Sequence, residues 1–588
     1  MDFSRVFDII YAQEKVFPKA DSLSNKVNGE WKKYSTSEFI KIATEVSFGL
    51  LKMGIHRNDK IAIVSQNRPE WNFADLGIQQ IGAISVPLYP NITVEDYRFI
   101  LKDSETKLVF VSNQEIYDKV KAATSDNSDI IGIFTFDEIR DLKHWSGIQN
   151  LGFGRNLSEI EEYKKAVRPE DLLTLIYTSG TTGVPKGVML SHNNIVSNVR
   201  ACVPLMPVGP TDRALSFLPL CHVYERMLNY LYSSVGVSIY YAESLETISD
   251  NLKEVKPHIF VTVPRLLEKV YDKIVTKGSE LTGIKKLLFF WALELGLKYE
   301  TSVDQGFFYN LQLKWANKLI FSKWREALGG NVKAIVTGGA ALQLRLARVF
   351  TAAQIQVMQG YGLTETSPVI SVNRANLTEN RFGTVGPLIS GIEVKIADDG
   401  EILSRGPHIM QGYYKRPDLT AETIDQDGWF HTGDIGTWVE NKYLKITDRK
   451  KEIFKTSGGK YIAPQIIENK IKESKLVEQA IVIGDGQKFP AALIVPNFVN
   501  LKLYCEHKKI PYTTDAEMIK SASVLEKFKR ELDVTNEGFA QYERIKKFDL
   551  LATMWTIDSG ELTPKLSLKR KAIMANNEAR VERIYKDL

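Results

Sequence analysis

The sequence predicts an α/β protein of more than one domain, on three observations. Between residues 35 and 125, segments with apolar residues at helical spacing alternate with short apolar runs. That alternation is the pattern of a mostly parallel sheet with helices on both faces. The chain has 588 residues, whereas single hydrophobic cores stop growing near ~250–300 residues. Its 44% hydrophobic and 25% charged content is that of an ordinary globular protein rather than a disordered or fibrous one.

Taken in order, 37–53 is predicted helical, 60–65 a buried strand, 71–81 a helix, and 83–88 and 108–112 further strands. Residues 120–165 are polar and read as a loop-containing connection. Ser191 is placed to cap a helix running through Cys202. Residues 216–220 read as a strand ending in Cys221, His222, Val223 and Tyr224. Residues 287–292 and 307–324 carry an amphipathic pair of helices stopped by Gly329 and Gly330. On the second, Phe308, Leu311, Trp315 and Leu319 share a face flanked by Lys314, Lys318, Lys323 and Arg325. Packing against its own domain is one reading of that face, and peripheral contact of 307–325 with a membrane surface is the other. Residues 333–342 and 355–358 are strands, and 477–483 a strand of a smaller α+β unit.

The net charge of +5, from 76 basic and 71 acidic residues, is too slight to indicate a nucleic-acid partner. The three cysteines, Cys202, Cys221 and Cys505, are far apart and form no C-x-x-C pair, which fits a reducing, cytoplasmic compartment. The long uncharged runs 76–94 and 227–242 are interrupted by polar residues and prolines, so neither meets the ~20 apolar residues of a spanning helix. Nothing in the sequence fixes an oligomeric state, and a dimer is left open.

Chemistry concentrates first at 172–188. An apolar strand empties into Thr178-Ser179-Gly180-Thr181-Thr182-Gly183, followed by Pro185, Lys186 and Gly187. Glycines let backbone N–H groups converge, the hydroxyls add donors and Lys186 adds a charge, so the natural ligand is a polyphosphate. A Walker loop is excluded, because Gly-x-x-x-x-Gly-Lys-Ser/Thr requires glycine and a hydroxyl where Pro185 and Gly187 stand. Further on, Gly338-Gly339-Ala340 ends a strand with residues small enough for a flat ring to lie on the backbone. Gln359-Gly360-Tyr361-Gly362 precedes Thr364 and Glu365. Tyr361 offers a stacking face, Gln359 an edge-reading amide, and Thr364 and Glu365 hard oxygens suited to magnesium on a triphosphate. A dinucleotide fingerprint is rejected, because Glu365 occupies the third glycine position. Asp434 lies in a glycine-flanked turn as a bidentate acceptor for ribose hydroxyls, with Arg449 able to reach the same ribose or a phosphate.

The run 177–187 resembles the phosphate loop of the adenylate-forming superfamily, which includes acyl-CoA synthetases, peptide-synthetase adenylation domains and beetle luciferases. The run 427–451 resembles the signature of fatty acyl-CoA synthetases, and the helical insertion at 280–330 resembles the long-chain members. The resemblance spans about residues 35–570. It implies a large N-terminal domain, 1–448, of two α/β subdomains plus a small β-barrel-like part, and a smaller hinged α+β C-terminal domain, 449–588, acting as a lid. It implies ATP, Mg2+ and coenzyme A as cofactor and co-substrates, and a fatty acid as substrate. The ATP site would comprise Thr178, Ser179, Gly180, Thr181, Thr182, Gly183, Lys186, Gly338, Gly339, Ala340, Gln359, Gly360, Tyr361, Gly362, Thr364, Asp434 and Arg449. His222, Val223 and Tyr224 would line the acyl pocket, Glu365 would hold the metal, Lys451 would be the hinge, and Ser457, Gly458 and Gly459 would meet CoA. Thr178, Lys186, Glu365 and Lys569 would be catalytic. Here the chain departs from the superfamily's Pro-x-x-x-Ser-Gly-Lys: residues 560–570 lack a glycine before a lysine, leaving Lys565 and Arg570 as rivals to Lys569. The expected reaction is ATP-dependent conversion of long-chain fatty acids to acyl-CoA through an acyl-adenylate, with AMP and pyrophosphate released. The alternative is a fatty acyl-AMP ligase without the CoA step.

Overall fold

The apolar runs become the strands of two sheets, and their burial explains their composition. The computed structural model describes residues 2–179, 184–563 and 568–586. The chain divides into two compact units: one of residues 1–395, 403–431 and 438–444, the other of 396–402, 432–437 and 445–588.

In the first unit a seven-stranded sheet has the order Gly412–Tyr413, Pro185–Ser191, Leu172–Ser179, Ile84–Leu88, Lys60–Val64, Thr106–Val111, Gly132–Thr135. The last five are parallel, and the first two join antiparallel. Strands buried on both faces read as continuous apolar runs rather than alternating ones. Accordingly Ile61, Ile63, Leu108 and Phe110 enter the main core, whereas Ala62, Val64, Val109 and Val111 enter a second cluster beneath the opposite face.

The eight-stranded sheet of the same unit has the order Val369–Val372, Gln356–Gly362, Ala334–Thr337, Ile259–Thr262, Arg213–Ser216, Ser238–Tyr241, Leu23–Val27, Glu30–Tyr34. Ala214, Ile259, Val261 and Val336 face the same main core, so one apolar core serves both sheets, while Leu215, Phe260 and Ile335 face a separate cluster.

Sequence and structure agree closely where local chemistry is strong. Helix Thr36–Lys52 starts at a Ser35/Glu38 capping box, and helix His192–Cys202 at the expected Ser191. Two segments differ. Residues 120–165 contain a strand, Gly132–Thr135, and two short helices, Ser146–Gly152 and Ile160–Ala166. Helix Ser146–Gly152 crosses Thr36–Lys52 backbone to backbone: a Cβ on Gly49 would meet the Ile148 carbonyl oxygen at 1.9 Å, and one on Gly152 the Glu45 carbonyl oxygen at 2.0 Å. The strand expected at 216–220 ends at Ser216, because Leu218 and Leu220 bond Asn67 instead of a neighbouring strand.

The second unit holds a three-stranded sheet in which Val477–Ile483 runs antiparallel to Ala491–Pro496, and Ala491–Pro496 parallel to Lys547–Leu550. Ala480 and Val482 pack toward Ile467 and Phe528 of the helices Pro464–Ile471 and Ala522–Asn536. Ile481 and Ile483 pack toward Ile573 and Ile584 of the helices Arg570–Asn576 and Glu578–Lys586. No helix among the described residues is long and apolar enough to cross a membrane.

Candidate active site

Hairpin pairing sets the first part of the site in the large unit. Strands Leu172–Ser179 and Pro185–Ser191 are in register with Thr178 opposite Lys186 and Tyr177 opposite Gly187. Both candidate phosphate ligands therefore stand at the mouth of the loop. A Cβ on Gly187 would lie 3.1 Å from the Tyr177 ring, and that ring is fixed by its hydroxyl donating to Asp103 Oδ2 at 2.5 Å. Gly180, Thr181, Thr182, Gly183, the Ser179 side chain and Lys565 lie outside the described residues.

The strand Gly412–Tyr413 closes the hairpin's outer edge, with Tyr413 opposite Val188. The Tyr413 hydroxyl donates to Glu365 Oε1 at 2.9 Å, and Lys186 Nζ lies 5.2 Å from the centre of its ring. The Met410 N–H donates to the Glu365 carbonyl at 2.9 Å, and the Tyr414 N–H to the Gly187 carbonyl at 2.8 Å. Burial and the adjacent Glu365 carboxylate push the Tyr413 hydroxyl well above its ordinary pKa, so it remains a donor. Tyr413 thus joins the expected metal ligand of one sheet to the expected phosphate lysine of the other. Sequence reasoning missed it; the only signal was a tyrosine following glycine in 412–414.

The second part grows from strand Gln356–Gly362, which pairs with Ala334–Thr337 on one side and Val369–Val372 on the other, with an irregularity between Tyr361 and Gly362. A Cβ on Gly362 would fall 1.7 Å from the Pro368 carbonyl oxygen, so only glycine fits there. The chain then makes the short turn Thr364–Thr366, which presents Glu365. At the end of the neighbouring strand, a Cβ on Gly338 would lie 3.4 Å from the Gly360 carbonyl oxygen and 3.5 Å from the tip of the Tyr224 ring. Gly338 therefore lies between Tyr224 and the Gly360 carbonyl, while Gly339 and Ala340 form an exposed turn. The Tyr224 hydroxyl is buried without a hydrogen-bond partner among the described residues. A buried orphan hydroxyl against a glycine-built floor suits a ligand that supplies the missing bond.

His222 precedes helix Val223–Ser234, and its Nδ1 accepts from the Tyr224 N–H at 3.1 Å. Two charged residues of this helix, unassigned by sequence reasoning, are buried. Arg226 pairs with Asp75 at 2.6 Å, donates to Thr174 Oγ1 at 2.8 Å and Ser85 Oγ at 2.7 Å, and bonds the Tyr230 hydroxyl at 2.7 Å. Glu225 Oε1 accepts from Ser216 at 2.5 Å and Asn229 at 3.3 Å, and burial pushes its carboxyl up to about 8. The available signal was a charged pair inside a helical segment otherwise suited to burial.

In the smaller unit, Arg449 Nε lies 3.3 Å from Asp434 Oδ1; the buried Asp434 stands not in the expected turn but within the strand Phe430–Val439, directly after Gly433, whose φ is +71°. Lys450 pairs with Asp399 at 2.6 Å and Glu401 at 2.8 Å, just before Lys451. Ser457, Gly458 and Gly459 form the turn of the hairpin Phe454–Lys455/Tyr461–Ile462, with Gly459 at φ +79°. Lys569 precedes helix Arg570–Asn576 and its N–H donates to the Glu561 carbonyl at 2.8 Å. Arg570, one rival to Lys569, is instead committed to the core: it pairs with Glu452 at 3.0 Å and with Glu468, and bonds the Val482 carbonyl at 3.0 Å.

Among the described residues no three His, Cys, Asp or Glu side chains form a metal-binding cluster. A divalent cation would be held by Glu365 together with ligand phosphates, the usual manner of magnesium sites.

Comparisons with known proteins identify the family and the fold. The family described as AMP-binding enzyme matches residues 11–414, and the AMP-binding enzyme C-terminal domain matches residues 451–588. The chain belongs to the AMP-binding enzymes. Long-chain-fatty-acid–CoA ligase FadD15 of Mycobacterium bovis is 30% identical over 600 residues, covering 99% of this chain and 97% of that protein. Human long-chain-fatty-acid–CoA ligase 1 is 32% identical over 587 residues, covering 95% of this chain and 82% of that protein. Solved structures share the fold: the adenylation domain of a carboxylate reductase from Mycobacterium chelonae has a TM-score of 0.77 at 21% identity, covering 99% of this chain and 91% of that one. A Mycobacterium tuberculosis fatty acyl CoA synthetase has a TM-score of 0.64 at 19% identity, covering 98% and 99%.

Two outcomes follow from the geometry. Tyr413→Phe should weaken ATP-dependent activity about 10-fold or more, the scale on which outer partners of a metal ligand act; steady-state kinetics at varied magnesium would show it, and unchanged kinetics would remove Tyr413 from the site. For Glu225, the folded state retains a proton, up to about 8, that the unfolded chain loses near 4.5. Its contribution to stability therefore falls as pH rises from about 4.5 to about 8 and is level above, with a slope of at most ~1.4 kcal/mol per pH unit. Glu225→Gln should flatten that slope in denaturant unfolding measured across this window.

Proposed function

We propose that the chain activates long-chain fatty acids to acyl-CoA in two steps. The observations that carry the reading are the junction of Glu365, Tyr413, Lys186 and Thr178 and, separately, the Gly338–Gly360 contact under the Tyr224 ring. A carboxylate oxygen of the fatty acid attacks the α-phosphorus of ATP, and the bond to the β-phosphate oxygen breaks, releasing pyrophosphate. The CoA thiolate then attacks the acyl carbon, and AMP departs with the electron pair of the C–O bond.

Each residue has a stated part. Lys186, Thr178 and the loop they flank receive the phosphates. Gln359 reads the adenine edge, Tyr361 stacks on the ring, and Gly338, Gly339 and Ala340 give it a flat floor, while Asp434 accepts the ribose hydroxyls beside Arg449. His222, Val223 and Tyr224 face the acyl chain. Glu365, oriented by Tyr413, holds magnesium, which when bound neutralises charge on the phosphates. Residues 449–588 serve as a lid turning at Lys451: in one position Lys569 neutralises charge developing between carboxylate and α-phosphate, and in the other Ser457, Gly458 and Gly459 meet CoA. The cytoplasm is the proposed compartment, consistent with three buried free cysteines.

The test is to incubate the protein with ATP, CoA and a panel of fatty acids and weigh the products. AMP, pyrophosphate and acyl-CoA are expected, with preference rising by at most ~0.8 kcal/mol per buried CH₂ until the pocket ends. ADP formed in step with thioester would overturn the reading, and acyl-AMP accumulating unchanged in the presence of CoA would point to a ligase without the second step. Lys569→Ala should slow acyl-AMP formation roughly 10²-fold while sparing thioester formation from supplied acyl-AMP. Lys451→Pro, by fixing φ, should do the reverse. Equal loss of both steps in Lys569→Ala would place the essential cation elsewhere, with Lys565 the first to try.

A further inference from the structure

Arg570 directly follows Lys569, and its guanidinium joins three separate parts of the smaller unit. Nε donates to Glu452 Oε2 at 3.0 Å, one terminal nitrogen donates to the Val482 carbonyl at 3.0 Å, and the other donates to Glu468 Oε1. Glu468 stands on the helix Pro464–Ile471 and Val482 on the strand Val477–Ile483, so this part of the contact lies in the core. Glu452 is different. It follows Lys451 directly, in a turn where its N–H donates to the Arg449 carbonyl at 2.9 Å. Its side chain is 26% exposed, against 5% for Glu468. Gln465 Nε2 donates to the same Glu452 oxygen at 3.0 Å, which holds the carboxylate toward Arg570. A guanidinium presents its donors in a rigid planar fork, so acceptors in three directions fix the whole head group.

The backbone that carries Lys569 is held as firmly. The Lys569 N–H donates to the Glu561 carbonyl at 2.8 Å, and Leu562 pairs with Leu568 in an antiparallel bridge. Glu561 is itself tied down, its carboxylate accepting from Asn576 Nδ2 at 3.1 Å and from Ser559 Oγ at 2.8 Å. The Lys569 carbonyl accepts from the Ile573 N–H at 3.0 Å and so begins the helix Arg570–Asn576, where Ile573 is fully buried. The Lys569 side chain, by contrast, is exposed and forms no ion pair among the described residues. A flexible cation therefore stands on a fixed mount, and Glu452 links that mount to the residue after Lys451. Stability alone does not call for the link. A partly exposed ion pair contributes little, and the contacts to Glu468 and Val482 hold Arg570 in the core without it. Placement is more demanding, because a shift of ~1 Å in a reacting group can cost about 10²-fold in rate.

We propose that Arg570 and Glu452 are positioning residues for Lys569: their ion pair fixes the lysine's backbone to the residue after Lys451, so that a turn at the hinge carries the lysine to one place. Neither side chain touches substrate. The same contacts remove Arg570 as a rival cation, since its donors are occupied inside the unit. The proposal rests on the two-step reading of Lys569 and adds to it what sets the lysine's position.

The experiment measures acyl-AMP formation, and separately thioester formation from supplied acyl-AMP, in Glu452→Ala, Glu452→Gln, Lys569→Ala and the double variant Glu452→Ala/Lys569→Ala, with thermal unfolding of each. Glu452→Ala is preferred to a change at Arg570 because it keeps the buried contacts to Glu468 and Val482. It should slow acyl-AMP formation about 10-fold or more, through kcat rather than the KM for ATP. Thioester formation and the unfolding temperature should change little. Glu452→Gln keeps an oxygen acceptor for Arg570 and Gln465 and should restore most of the rate. Added to Lys569→Ala, Glu452→Ala should have no further effect, because no lysine is left to place. Full-rate acyl-AMP formation by Glu452→Ala, with Lys569→Ala slow, would overturn the proposal and leave the reading of Lys569 standing. Loss of both steps together with stability, or a further loss in the double variant, would also overturn it, since Glu452 would then act on the fold or on another group. Full-rate acyl-AMP formation by Lys569→Ala would overturn the role of Lys569 and the proposal with it.

Discussion

The buried pair of Arg226 and Asp75 is the constraint on which the large unit's site depends. Both side chains are almost fully removed from water, 3% and 2% exposed, and each would be costly alone. Removing one partner of such a pair typically costs ~3–5 kcal/mol, because the other charge is left uncompensated. Here the guanidinium gathers four elements. It reaches Asp75 on the helix Pro69–Gln80, Ser85 on the strand Ile84–Leu88, Thr174 on the phosphate-loop strand and Tyr230 on its own helix. Thr174 in turn donates to the Ser85 carbonyl at 2.8 Å. The segment bearing His222 and Tyr224 is thereby fixed to the strand that leads into Thr178.

A second junction completes the site. Tyr413 belongs to the edge of the seven-stranded sheet and Glu365 to the turn that follows a strand of the eight-stranded one. Their hydrogen bond brings together the ends of two sheets whose cores are already shared. One junction is ionic and deep, the other a neutral donor on a carboxylate at the rim. The first sets where the segment proposed to line the acyl chain stands relative to the strand leading into Thr178; the second aims the carboxylate proposed to face magnesium.

Much of this was legible in the sequence because the signals are local. The apolar runs at 60–65, from Leu172 and at 477–483, and the Ser191 cap, each state their structure within a few residues. The resemblance of 177–187 to adenylate-forming enzymes then implied roles for positions of the large unit, and that of 427–451 for positions of the smaller one. What stayed hidden is long-range. Arg226 meets Asp75 across 151 residues and Tyr413 meets Glu365 across 48, and neither separation leaves a periodic trace. Helix Ser146–Gly152, at seven residues, is too short to show a helical period and is defined by glycine contacts on its partner. The aromatic helix at 307–325 was legible as amphipathic, but the sequence could not tell its packed face from its exposed one, since both are apolar.

A double-mutant cycle on Arg226 and Asp75 tests the central claim most directly, with unfolding free energy and the rate of acyl-AMP formation read on the same proteins. If the pair sets the acyl wall against the phosphate loop, Arg226→Met alone should lower both sharply, and adding Asp75→Leu should recover part of each by removing the stranded carboxylate. Losses that simply add in both measurements would contradict it, and would reduce Arg226 to one buried residue among many.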